Sequence, residues 1–320
     1  MLESFLGALN PMMIMFSCIL AGYVLNKMKL MPESTAAVLS KCERYLFLPA
    51  LGYGTMAKYC TVSSISEYSN LILYSVLAIV IGFILAIPIS KAFEPRNLDK
   101  RNVYKYALVF ANYGTLGNGI VPLVLGGEEH LYSYLIFTLS LSIWTYVWGF
   151  YVLTPKENRS GNIFKNLFNP PMVAMILGMI VGLTGAQQYV PEFLVKTMDS
   201  LQSCMVPVAM ILAGFVIGDY SFKSLLSNKK VYILTALRLI VLPVFILAIL
   251  ILCKADRYTV TMALFAYAAP VGLNTIVFPA MYNQDTKLGA SMAMISHVLC
   301  VVTVPIMYGI LQHLYLCGIL

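Results

Sequence analysis

The chain has 320 residues, of which 60% are hydrophobic and only 11% charged, and its formal net charge is +7. A soluble domain carries about 25% charged residues, so a soluble enzyme and a nucleic-acid-binding domain are both excluded, and a polytopic membrane protein set in a lipid bilayer is indicated. The seven cysteines are scattered and lack C-x-x-C spacing, which argues against a disulfide framework or a metal site and makes them small core or lipid-facing residues.

Runs of about 20 apolar residues mark membrane helices, and ten such spans can be placed along the chain. Span 1 covers residues 5–27, with Asn10-Pro11 near its start. It lacks a charged leader and a small-residue cleavage site, so it reads as a retained helix. Span 2, residues 32–58, opens unusually: Ser40-Lys41-Cys42-Glu43-Arg44 precedes the apolar YLFLPALGYG. Charges there imply an entry along the membrane surface or against protein. Span 3 (69–89) leads into a charged loop, KAFEPRNLDKRNVYK. Span 4 (103–126) holds the stretch FANYGTLGNGIVPLVL, with Asn112, Gly114, Gly117, Asn118, Gly119 and Pro122. Glycine loosens a helix, and proline removes a donor and clashes one turn back. A break near mid-membrane is therefore predicted. Span 5 (131–153) carries both tryptophans, Trp144 and Trp148.

A polar linker, residues 155–169, precedes span 6 (172–185), which Pro170-Pro171 opens. Span 7 (191–217) has Asp199, Gln202 and Ser203 ahead of its apolar part, and span 8 (230–253) contains Arg238. Span 9 (258–282) repeats the chemistry of span 4 in AAPVGLNTIVFPA, with Pro270, Gly272, Asn274 and Pro279. Span 10 covers 288–312. Two interrupted hydrophobic segments at corresponding places in two halves point to a transporter site.

The halves match in outline, as residues 1–154 and 170–320 joined by the 155–169 cytoplasmic linker. In each, the second span has polar early turns and a central proline (Pro49, Pro207), and the fourth is broken. Five spans per half is an odd number, so the second half must insert upside down as an inverted repeat. Basic residues set the orientation. With the N-terminus outside, cytoplasmic loops hold fourteen of them, from Lys27 and Lys29 to Lys287, against Lys58, Lys196, Lys254 and Arg257 outside. Both termini are therefore placed on the extracytoplasmic side.

Three segments carry a family resemblance: Asn112-x-Gly114-x-x-Gly117, Pro270-x-Gly272-x-Asn274, and the span 10 ending SHVLCVVTVP, residues 296–305. With NPPMVAMILGMIVG after the linker, they resemble the auxin efflux carrier family, of the bile acid:sodium symporter-like fold superfamily. The similarity covers nearly the whole chain. It implies an all-α protein of ten transmembrane helices in two inverted five-helix repeats. Helices 4 and 9 would break and cross in a transport domain, against a scaffold of helices 1, 2, 6 and 7. It further implies organic-anion substrates, the cell membrane as location, and a homodimer through the scaffold. The family commonly has a proline seven residues after the helix 4 asparagine. Here that position is Gly119, and the proline is Pro122. The long loop of the plant exporters is absent between the halves.

The candidate substrate site comprises Asn112, Gly114, Thr115, Asn118 and Pro122 of span 4 with Pro270, Gly272, Asn274 and Thr275 of span 9. Mid-membrane amides cost about 2 kcal/mol or more unless paired. They either satisfy carbonyls freed by the breaks or bind a substrate carboxylate, and the roles can coexist. Candidates for coupling or charge are Arg238, Asp199, Glu43 and His297. Against each stands a plainer role: snorkelling or carbonyl pairing for Arg238, a solvated helix end for Asp199 and Glu43, a satisfied core histidine for His297. No cofactor or metal is expected, and coupling to H+ or Na+ stays open. The spans hold no acidic residue at either break, which counts against a sodium-coupled symporter of the bile acid type. That symporter and a non-transporting ligand sensor of the same fold are the alternative readings. An intramembrane enzyme lacks its motifs, with neither H-E-x-x-H nor G-x-S-x-G present.

Overall fold

Apolar runs of this length bury their backbone polar groups in one way, by closing them into helices. The computed structural model describes residues 2–158, 168–280, 282 and 284–319, apart from the side chains of Ser66, Glu67 and Ala280. Among the described residues every regular element is helical. Most of the predicted linker, residues 159–167, lies outside them.

The first half runs α1 (Leu2–Lys27), α2 (35–59), α3 (Val62–Phe93), α4 (Leu98–Val109), α5 (Tyr113–Leu125) and α6 (Glu128–Leu153). The second runs α7 (Pro170–Thr184), α8 (Glu192–Gly218), α9 (Lys229–Leu252), α10 (Arg257–Tyr267), α11 (Asn274–Ala280) and α12 (Lys287–Leu316). Among the described residues six helices are long and apolar enough to cross a membrane, within α1, α3, α6, α8, α9 and α12, and α5 and α7 are shorter apolar helices. Polar residues write the starts. Thr61 and Ser64 form a reciprocal capping box on α3, Asn97 caps α4, Asn169 caps α7 and Asp256 caps α10. These caps explain why α3 and α4 begin several residues before the hydropathy does.

Two prolines shape the helices that carry charge. Pro49 and Pro243 cannot donate to the carbonyl one turn back. Just before each, the helix widens into a π-helical turn, Glu43–Phe47 and Leu237–Val241, where Leu48 and Leu242 donate to carbonyls five residues earlier. Such turns re-aim side chains and recur at functional sites. Here they hold Glu43, Arg44 and Arg238.

Glycines set the tightest packing. A Cβ on Gly22 would stand 2.0 Å from the Ile211 carbonyl oxygen, and one on Gly214 would stand 1.8 Å from that of Ile19, so α1 and α8 touch backbone to backbone. Gly178 and Gly182 of α7 meet the α2 backbone at Tyr53 and Met56 in the same way. Helices in lipid associate through close approach of small residues of this kind.

Spans 4 and 9 are broken where they meet. Residues 110–112 separate α4 from α5, and 268–273 separate α10 from α11. Ala111 pairs with Val271 as an isolated antiparallel bridge. The Asn112 N–H donates to the Pro270 carbonyl at 2.7 Å, and the Gly272 N–H to the Phe110 carbonyl at 3.4 Å. Each break thus satisfies backbone groups of the other. A Cβ on Gly272 would lie 3.0 Å from the Ala111 oxygen, which accounts for glycine there. The span 4 break falls ahead of its glycines, and Pro122 sits inside α5 rather than at the break.

Candidate functional site

A cavity of about 200 Å³ lies against this crossing. The breaks supply Asn112, Gly114, Thr115 and Asn118 from one side and Gly272 and Asn274 from the other. The opposing wall is α2, with Ser40, Glu43 and Arg44, and α6 adds Thr138, Ser142, Thr145 and Tyr146. Pro171 and Met172 of α7 line it as well. Drug-sized ligands take pockets of about 300–1,000 Å³. This one suits a smaller molecule.

Two of the three amides are held by a partner outside their own span. The Asn112 side-chain nitrogen lies 3.1 Å from His297 Nε2, while His297 Nδ1 lies 2.7 Å from the Ala293 carbonyl. A carbonyl only accepts, so the Nδ1 proton goes to Ala293 and Nε2 accepts from Asn112. His297 therefore acts through Asn112, as a buried neutral ring. Asn274 donates to the Tyr106 hydroxyl at 3.0 Å. Asn118 is buried, and its side-chain oxygen has no protein partner among the described residues. The Tyr113 hydroxyl pairs with Thr145 at 3.0 Å, and Tyr134 donates to the Tyr113 carbonyl at 3.1 Å. These bonds fix the first turn of α5, whose leading N–H groups have no intrahelical acceptor.

Charge at the cavity comes from α2. Glu43 is the one carboxylate among the described lining residues, and it faces Thr115 on the broken span. Arg44 lies next to it, its guanidinium 5.8 Å from the Tyr45 ring centre.

The other candidates lie elsewhere. Thr275 is buried and donates to the Gly272 carbonyl at 2.9 Å, so it pins the break without lining the cavity. Pro270 accepts from Asn112, while Pro122 lines a neighbouring, more apolar cavity beside Leu123 and Val206 that shares Asn118 with the first. Asp199 is exposed and borders a small pocket with Lys58 and Gln187. Arg238 is fully buried and donates to the Leu108 carbonyl at 3.4 Å. Arg44, Tyr106 and Tyr146 were not singled out from sequence. For Arg44 the signal was the charged opening of span 2. For the tyrosines there was none, since they read as ordinary packing residues.

Long apolar helices around a pair of mutually bonded breaks define a multi-pass membrane transporter rather than an enzyme. The chain belongs to the membrane transport protein family, the auxin efflux carrier-like family, whose model matches residues 8–308. It is similar to an uncharacterized transporter of Methanocaldococcus jannaschii, 25% identical over 288 residues that cover 88% of this chain and 92% of the relative. It is also similar to the uncharacterized transporter YfdV of Escherichia coli (strain K12), 23% identical over 319 residues, 96% of this chain and 97% of that one.

Proposed function

We propose that the protein is a secondary transporter that moves a small organic anion, of the carboxylate class, by alternating access. The observation that carries this is the cavity at the crossing: it joins one guanidinium, Arg44, to amides of both broken spans within about 200 Å³. An anion entering it meets Arg44, Asn112 and Asn274 and the positive end of α5, all suited to negative charge. Its size favours a small carboxylate over a bulky steroid acid.

In this reading α4, α5, α10 and α11 belong to the moving part, and α1, α2, α7 and α8 to the scaffold. The pairing of α1 with α8 and of α2 with α7 supports an inverted ten-helix arrangement, because exchanging the two halves turns one pair into the other. The cavity walls at Ser40, Tyr146 and Pro171 lie toward the ends of the helices whose loops are rich in lysine and arginine. With both termini outside the cell membrane, the cavity faces the cytoplasm. A homodimer through the scaffold remains part of the proposal.

The test is a thermal-shift screen of the purified protein with malate, malonate, indole-3-acetate and a bile acid, each with and without sodium. Stabilisation by a small carboxylate in the absence of sodium is expected. Stabilisation only by the bile acid, or only with sodium, would move the protein to the symporter reading. No shift with any compound would remove the carboxylate class from the proposal.

A further inference from the structure

Arg238 is the largest fully buried side chain among the described residues, at 0% exposure. It sits in the π-helical turn of α9 that Pro243 imposes. Among the described residues, the groups that act on its charge are the hydroxyls of Tyr267 and Tyr134, with no acidic side chain among them. Its single protein hydrogen bond, Nη1 to the Leu108 carbonyl, is long at 3.4 Å, and Nε and Nη2 have no protein partner among the described residues. A buried cation without a counter-charge is strongly unfavourable, so something near it must be negative.

The crossing supplies that charge. Leu108 lies in the last turn of α4, and Tyr267 is the last residue of α10. Both half-helices end at the break, where bonds between Phe110, Asn112, Pro270 and Gly272 hold them together. The last carbonyls of each lack intrahelical partners and carry about half a negative charge per helix. Two such ends amount to roughly one unit, the charge of one guanidinium.

We infer that Arg238 is a built-in cation that neutralises the carbonyl ends of the two half-helices at the crossing, doing there what a bound metal ion would do. It is a positioning residue, since it does not line the cavity and reaches the site through the Leu108 carbonyl of α4, with the Tyr267 hydroxyl of α10 in its field. The donor set fits this: the Leu108 carbonyl is already faced by a guanidinium, and the crossing's own backbone segments carry no carboxylate, the nearest in the cavity being Glu43 of α2, so a sodium ion added at the α4 end would meet a resident positive charge. The inference rests on the crossing itself and is independent of which anion is carried.

The experiment compares melting temperatures of the full-length protein, wild type, Arg238→Lys and Arg238→Met, in sodium chloride, choline chloride and sodium gluconate at one ionic strength. Lysine and methionine have similar reach and differ in charge. The wild type is expected to melt at the same temperature in all three salts. Arg238→Met is expected to melt lower, by on the order of 5 °C or more, and to recover part of the loss in sodium relative to choline. Arg238→Lys is expected to retain more than half of what Arg238→Met loses. Equal melting of the two variants, or an Arg238→Met protein that melts low and ignores sodium, would show a packing role and overturn the inference. A wild type stabilised by sodium would also overturn it. So would a wild type stabilised by chloride over gluconate, because the free Nε and Nη2 donors would then hold an anion. If Arg238→Met yields no folded protein, a folded, salt-insensitive Arg238→Lys upholds the charge requirement, and a Lys variant that is equally unfolded refutes it.

Discussion

Asn112 shows how little room the crossing leaves any one residue. Its N–H closes the break on Pro270, its carbonyl accepts from Leu116 and Gly117, and its side chain rests on His297. Hydrogen bonds to a charged group contribute about 1.5–3 kcal/mol, and each 1.4 kcal/mol is tenfold in binding. Asn112→Ala and Asn274→Ala are each expected to lower uptake of the responding carboxylate into proteoliposomes about tenfold or more, while the melting temperature reports on folding. Arg44→Gln is expected to weaken carboxylate binding by a comparable factor with little loss of stability, because Arg44 is exposed at the cavity wall. An Arg44→Gln protein that binds as tightly as wild type would remove Arg44 from the site. The amides were legible in the sequence because mid-membrane asparagine stands out among apolar neighbours. Tyr106 and Tyr146 were not, since a tyrosine in a span looks the same whether its hydroxyl packs or positions an amide.

At the level of elements, breaks and close contacts decide the architecture. The sequence marked both breaks by their Gly, Asn and Pro content, yet it could not locate the first. The glycines and Pro122 left the position open along the stretch, and the chain opens ahead of both, at 110–112, where the partner backbone of span 9 supplies the missing hydrogen bonds. A break that is satisfied only by another segment far along the chain leaves no local signature. The π-helical turns are legible afterwards as the consequence of Pro49 and Pro243, and they explain why charges sit inside otherwise apolar helices. Gly117 tests the packing of α5 on α6. A Cβ there would stand 1.9 Å from the Tyr134 hydroxyl oxygen, and overpacking costs about 1–3 kcal/mol. Gly117→Ala is expected to lower the melting temperature, and adding Tyr134→Phe, which removes that oxygen, is expected to restore part of it. Gly214→Leu, which faces rigid backbone on α1, has no such second-site remedy and should reduce the yield of folded protein.

For the whole molecule, the charge distribution along the chain and the cavity make one statement about orientation. Loops rich in lysine and arginine lie toward the Ser40 and Pro171 ends of the helices, and Cys317 lies exposed near the far end of α12. A membrane-impermeant maleimide is expected to label Cys317 on intact cells without permeabilisation; labelling only after permeabilisation would invert the topology. At this scale the sequence was most informative, because hydropathy and basic residues act over whole spans. Beyond the crossing of spans 4 and 9 and the grouping of a scaffold, which the family resemblance implied, it did not say which helices pack in pairs. The pairing of α1 with α8 and α2 with α7 depends on glycines whose importance shows only against a neighbouring backbone.

The proposed transport cycle rests on an anion sitting at the crossing, so the deciding measurement is where one binds. Crystals grown with a bromine-substituted small dicarboxylate would place it by anomalous scattering. The predicted result is a peak between Arg44, Asn112 and Asn274. A peak only in the apolar cavity beside Pro122 and Leu123, or none at the crossing in protein that transports the same compound, would contradict it.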